Sequence, residues 1–201
     1  MTFILNEIAM QAPFFIGLAG EPDIRVAEET PADVGARENL LDAAFGPARR
    51  EKTAERLREG RLPAQGLALV MKDSEQLVGT LRMWKILAGE TPALLLGPLA
   101  IASAYRSRGL GRRLTAEALF RAVAAGHNAI LLVGDAPYYE PFGFSRRHTL
   151  GLSLPGPVDE ARFLGLEIKP GALKGAKGLV AAAGAHDWEA YGGSADYRRA
   201  A

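Results

Sequence analysis

Cysteine is missing from the sequence, and histidine is rare. Because the chain of 201 residues has no cysteine, disulfide frameworks, thiolate nucleophiles and cysteine metal sites are all excluded. Its 3 histidines are scattered and too few to indicate a zinc site. We therefore expect no bound metal. The absence of cysteine also fits the reducing cytoplasm, which is the location that we expect.

A surplus of charge of one sign is missing too. The chain carries 24 Lys and Arg against 23 Asp and Glu, which gives a formal net charge of +1. Proteins that bind nucleic acid usually present a strongly basic domain or stripe. We therefore expect no nucleic-acid partner.

Long hydrophobic runs are absent as well. A membrane-spanning helix needs roughly 18 or more consecutive apolar residues, and no segment of the chain reaches that length. The N-terminal residues are fairly apolar, but they lack the basic start of a signal peptide and contain Glu7. We therefore expect no membrane partner.

The composition that remains is that of one globular domain, with 48% hydrophobic and 23% charged residues. We divide the chain into an N-terminal extension (1–22), one domain (23–185, with its core at 24–150) and a C-terminal tail (186–201).

One stretch, Leu94 to Val123, organises the domain. It reads as an apolar strand, a glycine-rich turn and an amphipathic helix. Gly109 and Gly111 lack a Cβ and would let a ligand lie directly on the backbone amides. The turn is surrounded by Arg106, Arg108, Arg112 and Arg113. Backbone amides, a helix N-terminus and guanidinium groups together indicate a site for phosphate groups.

An apolar strand at 129–133 follows the helix, so that 94–133 is predicted to form a β-α-β unit. Such a crossover makes the two strands parallel and places the turn at the carboxyl end of the first strand, where α/β sheets bind ligands. Gly97 and Pro98 interrupt that first strand. Because proline cannot donate a ladder hydrogen bond, we expect a bulge there.

Weaker patterns predict the other elements. Alternating apolar and polar residues indicate a strand at 24–28 and a hairpin of 67–72 with 76–87. The charged segment 49–59 is a helix candidate, and the residues from Phe144 onward are a strand candidate.

Two other phosphate-binding motifs do not fit the turn. A dinucleotide-binding G-x-G-x-x-G motif would need a third glycine where the chain has Leu114. A Walker A motif would need a lysine and then serine or threonine after the glycines, and neither follows. Without the glycines, the arginines alone would indicate only a solvated helix start.

Two motifs resemble those of the GNAT superfamily of N-acetyltransferases. The residues Arg106 to Gly111 (RSRGLG) resemble the family's R/Q-x-x-G-x-G/A motif, and Tyr139 to Phe144 (YEPFGF) resemble its Y-x-x-x-G-F motif. The resemblance covers about residues 24–150. It implies an α/β fold with a mixed, mostly antiparallel sheet that splays between strands 4 and 5 and carries helices on both faces.

The resemblance also implies a cosubstrate and site residues. Acetyl-CoA would bind with its pantetheine arm along Leu99, Ala100 and Ile101. Its pyrophosphate would lie on the turn formed by Arg106, Ser107, Arg108, Gly109, Leu110, Gly111 and Arg112. Tyr139 would be the general acid that protonates the departing thiolate, whereas its neighbour Tyr138 would point elsewhere and pack.

The activity implied by the resemblance is acetyl transfer from acetyl-CoA to a primary amine by direct attack, with a small-molecule or peptide acceptor and a homodimer as an option. Where many members carry an asparagine, this chain has Leu132, and no motif marks a general base. Asp135 and His148 are candidates only by elimination, and Tyr139 could be purely structural. The motifs match a bacterial branch of unassigned substrate. The alternative function is a non-catalytic acyl-CoA-binding regulatory module.

Overall fold

The computed structural model describes residues 24–187, which fold around one sheet of eight strands. The strands are β1 (Ile24–Glu28), β2 (Ala68–Asp73), β3 (Gln76–Ala88), β4 (Thr91–Ile101), β5 (Ala129–Val133), β6 (Leu152–Ser153), β7 (Phe163–Glu167) and β8 (Gly178–Ala182). The α-helices are α1 (Val34–Phe45), α2 (Leu110–Ala124) and the single turn α3 (Ala136–Tyr139). Short 3-10 helices span Pro31–Asp33, Pro47–Glu51, Thr53–Leu57, Ser103–Tyr105, Glu140–Phe142, Arg146–His148 and Glu160–Arg162.

The predicted N-terminal extension (1–22) and most of the predicted C-terminal tail lie outside the described residues. From that tail, His186 is described and forms an isolated bridge with Arg61. Between residues 24 and 187 no helix is both long and apolar enough to cross a membrane.

The sheet is mixed and mostly antiparallel, as the sequence predicted. Its main path runs β1-β2-β3-β4-β5-β7, and only the β4–β5 pair on this path is parallel. The long strand β3 pairs with β2 through its first half and with β8 through its last residues. The β-α-β unit predicted over 94–133 is therefore confirmed, with α2 as its crossover.

The sheet splays between β4 and β5. These strands pair at Leu94 with Ile130 and at Leu95 with Leu131, and the pairing stops there. The rest of β4 continues to pair with β3 alone, as far as Ile101 opposite Gly79. Beyond Leu95, the edge of β4 that faces the splay consequently has backbone groups that do not pair with β5.

The expected bulge lies where the splay begins. The register between β3 and β4 shifts between Leu81 and Met83, so that Gly97 and Pro98 on β4 face a single residue of β3. The Gly97–Pro98 peptide is cis. The indole Nε1 of Trp84 donates a hydrogen bond of 2.7 Å to the Gly97 carbonyl, which satisfies a group that the ladder leaves unpaired.

Apolar side chains fill both faces of the sheet. On one face α2 contributes Leu114 and Ala118, both fully buried. On the other face the core includes Trp84, Phe163 and Leu57. The sequence predicts a broad apolar face on α2 that includes Phe120. This residue is 56% exposed, so the face that meets the sheet is narrower than predicted.

Ion pairs fasten α1 to the sheet. The buried guanidinium of Arg37 contacts Glu29 at 2.6 Å, and Arg82 on β3 contacts the same carboxylate. The Lys72 ammonium lies 2.6 Å from Asp33, the residue that precedes α1. Each of these charges therefore has a partner of opposite sign, which offsets the cost of removing it from water.

Two local predictions are wrong. The segment 49–59 is not one helix, because the extended backbone of Lys52 divides it into two 3-10 helices. The residues after Phe144 do not continue as a strand. Ser145 is extended and bridges Gly165, but its side chain accepts a hydrogen bond from the Arg147 amide and caps a 3-10 helix. Only the two residues of β6 form a strand in this segment.

Candidate active site

The glycine-rich turn begins α2 with a left-handed backbone. Gly109 has φ +75° and precedes the first residue of α2, and Ser107 has φ +61°. The first amides of a helix have no acceptor within the helix and carry its positive dipole end. This turn can therefore hold an anion against its backbone.

A cavity of about 450 Å³, the turn cavity, lies beside this turn. All the residues predicted for the cofactor line it except Arg108. They are Leu99, Ala100, Ile101, Arg106, Ser107, Gly109, Leu110, Gly111 and Arg112. The same cavity is lined by Ala44 and Phe45 at the end of α1, and by Tyr105 and Tyr138.

The arginines at the turn make different contacts. Arg106 donates from Nε to the carbonyl of Ile101 at 3.2 Å, which ties the turn to the end of β4. Arg108 lies over the ring of Tyr105, 5.3 Å from its centroid. Within residues 24–187, Arg106, Arg108 and Arg112 form no ion pair with a carboxylate and are exposed, so their charge is available to an anionic ligand.

A second cavity of about 660 Å³, the bulge cavity, lies beside the bulge of β4. Leu96, Gly97 and Pro98 of the bulge form part of its wall. Its charged lining residues are Arg49, Glu51, Lys52, Glu55, Arg58, Asp135, Asp159 and Arg162. Phe45, Leu99 and Tyr138 line both cavities, which therefore meet at this point.

Tyr138 faces both cavities, although the sequence suggested that it would only pack. Its hydroxyl is buried and makes no hydrogen bond within the described part of the chain. A Cβ placed on Gly111 would lie 2.8 Å from this hydroxyl oxygen. Burial raises the pKa of Tyr138, and the positive charge of Arg112 partly offsets the increase.

Tyr139 lies on the bulge cavity and is 9% exposed. Its ring packs edge-on against Tyr138, with centroids 4.8 Å apart, and against Phe144 at 5.7 Å. Burial raises its pKa strongly, Tyr138 adds to the increase, and the positive charges of Arg162 and Arg58 oppose it. The hydroxyl is therefore protonated across the physiological range, as a proton donor must be.

The residues considered as bases by elimination differ in position. Asp135 is exposed and lines the bulge cavity. His148 lines neither cavity, and its Nδ1 lies 3.8 Å from Glu167. Leu132, which stands where many family members have asparagine, is 1% exposed and belongs to the core. In residues 24–187 there is no group of three or more His, Cys, Asp or Glu that could hold a metal.

The sequence did not single out two residues of this region. Trp84 holds the bulge through the Gly97 carbonyl, and Arg58 lies in the bulge cavity with its side chain only 12% exposed. Nothing in the sequence distinguishes Arg58 from the other basic residues of 49–59, because its burial depends on tertiary packing alone.

Comparisons with known proteins point to one family. The model of an acetyltransferase (GNAT) domain matches residues 64–146. The uncharacterised N-acetyltransferase YhbS of Escherichia coli (strain K12) is 31% identical over 156 residues, which cover 76% of this chain and 92% of YhbS. The chain belongs to the GNAT acetyltransferase family.

Solved structures of GNAT proteins share the fold. The crystal structure of YhbS from Escherichia coli in complex with CoA matches with a TM-score of 0.68 and 29% identity, covering 80% of this chain and 89% of that one. A GNAT acetyltransferase from Brucella melitensis in complex with acetyl-CoA matches with a TM-score of 0.58 and 26% identity, covering 75% and 91%. The mixed, splayed sheet is thus the GNAT fold.

Proposed function

We propose that this protein is an acetyl-CoA-dependent N-acetyltransferase that acetylates a primary amine by direct attack. The observation that carries the proposal is the meeting of two cavities at Phe45, Leu99 and Tyr138. A transferase needs one cavity for the donor and another for the acceptor, and the two must meet where the acyl group is transferred. The CoA-bound and acetyl-CoA-bound relatives support the choice of donor.

Acetyl-CoA would occupy the turn cavity. Its pyrophosphate would accept hydrogen bonds from the amides at Gly109 to Arg112, and the exposed arginines would neutralise its charge. The pantetheine arm would pair with the β4 edge at Leu99 to Ile101, which β5 leaves unpaired. The acetyl group would then lie at the junction with the bulge cavity.

The acceptor would approach from the bulge cavity as a neutral amine. Its nitrogen would attack the thioester carbonyl carbon, and backbone amides of β4 would stabilise the oxyanion that forms. As the carbon–sulfur bond breaks, Tyr139 would give its proton to the departing thiolate. The amine nitrogen would lose a proton to solvent or to a carboxylate of the cavity, and Tyr139 would take a proton back from solvent. Amide and CoA thiol would result.

A panel of amines tests the proposal. The protein is incubated with acetyl-CoA and with polyamines, amino acids, peptides or aromatic amines, and release of the CoA thiol is measured. We expect release with at least one class and a rise in melting temperature with CoA, because a ligand that favours the native state stabilises it. Binding of CoA without thiol release for any amine would favour the regulatory alternative. A cytoplasmic location and a homodimer stay predictions.

A further inference from the structure

Arg58 is a buried cation that the protein does not fully pair. Its ion pair is with Glu55, between Nη1 and Oε2 at 3.3 Å, and its buried Nε makes no hydrogen bond within residues 24–187. A Cβ placed on Gly97 would lie 3.1 Å from Nη2, so the guanidinium lies beside the bulge. Arginine has five donors in a planar fork, and within residues 24–187 the hydrogen bond of this side chain is the one from Nη1 to Glu55.

Other buried arginines of this chain are paired more completely. Arg37 contacts Glu29 at 2.6 Å and Glu38 at 2.7 Å. Arg49 contacts Asp42 at 2.7 Å and also Glu38. A buried charge is costly unless it is paired and hydrogen-bonded. The weaker pairing of Arg58 thus leaves room for an additional anionic oxygen in the bulge cavity.

A second arginine lines the same cavity. Arg162 is exposed, and it forms no ion pair with a carboxylate of the described chain. Arg58, Arg162 and Tyr139 all line the bulge cavity, so the two cations share this cavity with the proposed proton donor. The positive charges of Arg58 and Arg162 also oppose the increase in the pKa of Tyr139.

The carboxylates of the cavity do not neutralise these two arginines completely. Glu55 forms the ion pair with Arg58 at 3.3 Å. Asp159 accepts a hydrogen bond from the Ala161 amide at 3.0 Å. Asp135 and Glu51 are exposed on the wall and form no ion pair within residues 24–187. A ligand that carries both an anionic group and an amine would match both kinds of charge.

We propose that the acceptor carries a carboxylate as well as an amine, as amino acids and short peptides do, and that Arg58 and Arg162 bind this carboxylate. The inference rests on the proposed function and names its substrate class. The volume of about 660 Å³ lies within the range of small-molecule sites and suffices for an amino acid or a short peptide. Paired guanidinium groups are well suited to a planar carboxylate.

The test compares matched ligands with and without the carboxylate. One pool contains the protein amino acids other than aspartate, glutamate and cysteine, together with their glycyl dipeptides, and the other contains the C-terminal amides of the same compounds. Thiol release from acetyl-CoA is measured for both pools, and so is the melting temperature of the CoA-loaded protein. The variants are Arg162→Ala and Arg58→Lys, with Arg147→Ala as the control, because Arg147 is exposed and lines neither cavity.

We expect the acid pool to release thiol at least about tenfold faster than the amide pool, and to raise the melting temperature where the amides do not. Arg162→Ala should reduce this preference about tenfold, and Arg58→Lys should reduce it while keeping the charge. Arg147→Ala should retain it. An equal response to the two pools, or a preference that survives both variants, would overturn the inference.

The two proposals fail in different ways. If the amide pool were acetylated as well as the acid pool, acetyl transfer would stand and the carboxylate site would be wrong. If neither pool released thiol but the acids still raised the melting temperature in an Arg162-dependent manner, the carboxylate site would stand and acetyl transfer to these amines would be wrong. The absence of both responses would overturn the carboxylate site.

Discussion

The Tyr138 hydroxyl occupies the space that a side chain on Gly111 would need. A Cβ built there would lie 2.8 Å from the hydroxyl oxygen but 3.8 Å from the ring carbon that carries it. Glycine at position 111 therefore allows the Tyr138 hydroxyl to approach the backbone closely. Gly109 has open space around it, and glycine is favoured there because the backbone is left-handed. The two glycines of one motif are required for different physical reasons.

The first prediction concerns this contact. Gly111→Ala should lower the free energy of unfolding by about 1 to 3 kcal/mol, because the added methyl overpacks against Tyr138. Tyr138→Phe removes the oxygen and leaves an ordinary contact distance, so the double variant should recover most of the loss. Denaturant titration of the single and double variants measures the coupling. Additive losses would show that the two residues do not constrain one another.

The second prediction concerns Gly109. Gly109 and Gly126 have similar backbones, with φ of +75° and +79°, and at neither would an added Cβ have another atom within 4 Å. Alanine at either position should thus cost about 1 to 2 kcal/mol of stability through left-handed strain. Only Gly109→Ala should also weaken CoA binding, because Gly109 lines the turn cavity. Calorimetric titration with CoA separates the two, and equal affinities would contradict the proposed phosphate site.

Local chemistry explains why part of the site was predictable. The bulge follows from Gly97 and Pro98, since proline cannot donate within a ladder. The parallel arrangement of β4 and β5 follows from the helical crossover between them. Both features depend on residues close together in the chain. They also explain why the turn at Gly109 lies after the carboxyl end of β4, at the start of α2.

The remaining features depend on contacts that are distant in sequence. Arg58 contributes to the bulge cavity only because Thr53–Leu57 packs near β4. The strand predicted after Phe144 is replaced by a cap at Ser145 and by the Thr149 hydroxyl, which donates to the Phe163 carbonyl at 2.6 Å. Periodicity along the chain carries no information about such partners.

The third prediction concerns the arginines of the turn. Arg108→Ala and Arg112→Ala should each weaken CoA binding by about 1 to 2 kcal/mol, the scale of one charge-assisted hydrogen bond. The loss stays partial because the backbone amides and the helix dipole remain. Calorimetry at several salt concentrations should show binding that falls as salt rises. Complete loss from either single variant would show that the arginine, rather than the backbone, provides the site.

The fourth prediction concerns acid stability. The hydrogen bond from Lys72, with those from Thr30, lowers the pKa of Asp33 to about 2 against the opposing effect of burial. An unfolded aspartate has a pKa of about 3.9. Because the folded pKa is the lower one, this carboxylate stabilises the fold above about pH 4, and its contribution is lost as the pH falls toward about 2.

Asp33→Asn should therefore lower the free energy of unfolding by about 1 to 3 kcal/mol at pH 7, the scale of hydrogen bonds to a charged group. The difference from the unmodified protein should shrink as the pH falls from about 4 to about 2. Urea titrations across this range provide the measurement. Asp159→Asn is a suitable control, because Asp159 is exposed and forms no ion pair in the described part of the chain. A difference independent of pH would contradict the assignment.

The last prediction is that Tyr139 acts in the chemical step. General acid catalysis contributes typically about 10² to 10⁴ in rate, so Tyr139→Phe should lower kcat by a factor in or near that range. Binding of CoA should be nearly unchanged, because Tyr139 lines the bulge cavity rather than the turn cavity. Tyr138→Phe should reduce kcat much less. Steady-state kinetics and CoA calorimetry on both variants measure the difference.

The pH dependence distinguishes this role from a structural one. Burial raises the pKa of Tyr139 above that of an ordinary tyrosine, which is about 10. The hydroxyl therefore keeps its proton as the pH rises toward about 10, and loss of this proton should not lower kcat within that range. Deprotonation of the amine should instead raise the rate as the pH increases. If Tyr139→Phe kept wild-type activity under conditions where chemistry limits the rate, Tyr139 would have only a structural role, packing against Tyr138 and Phe144.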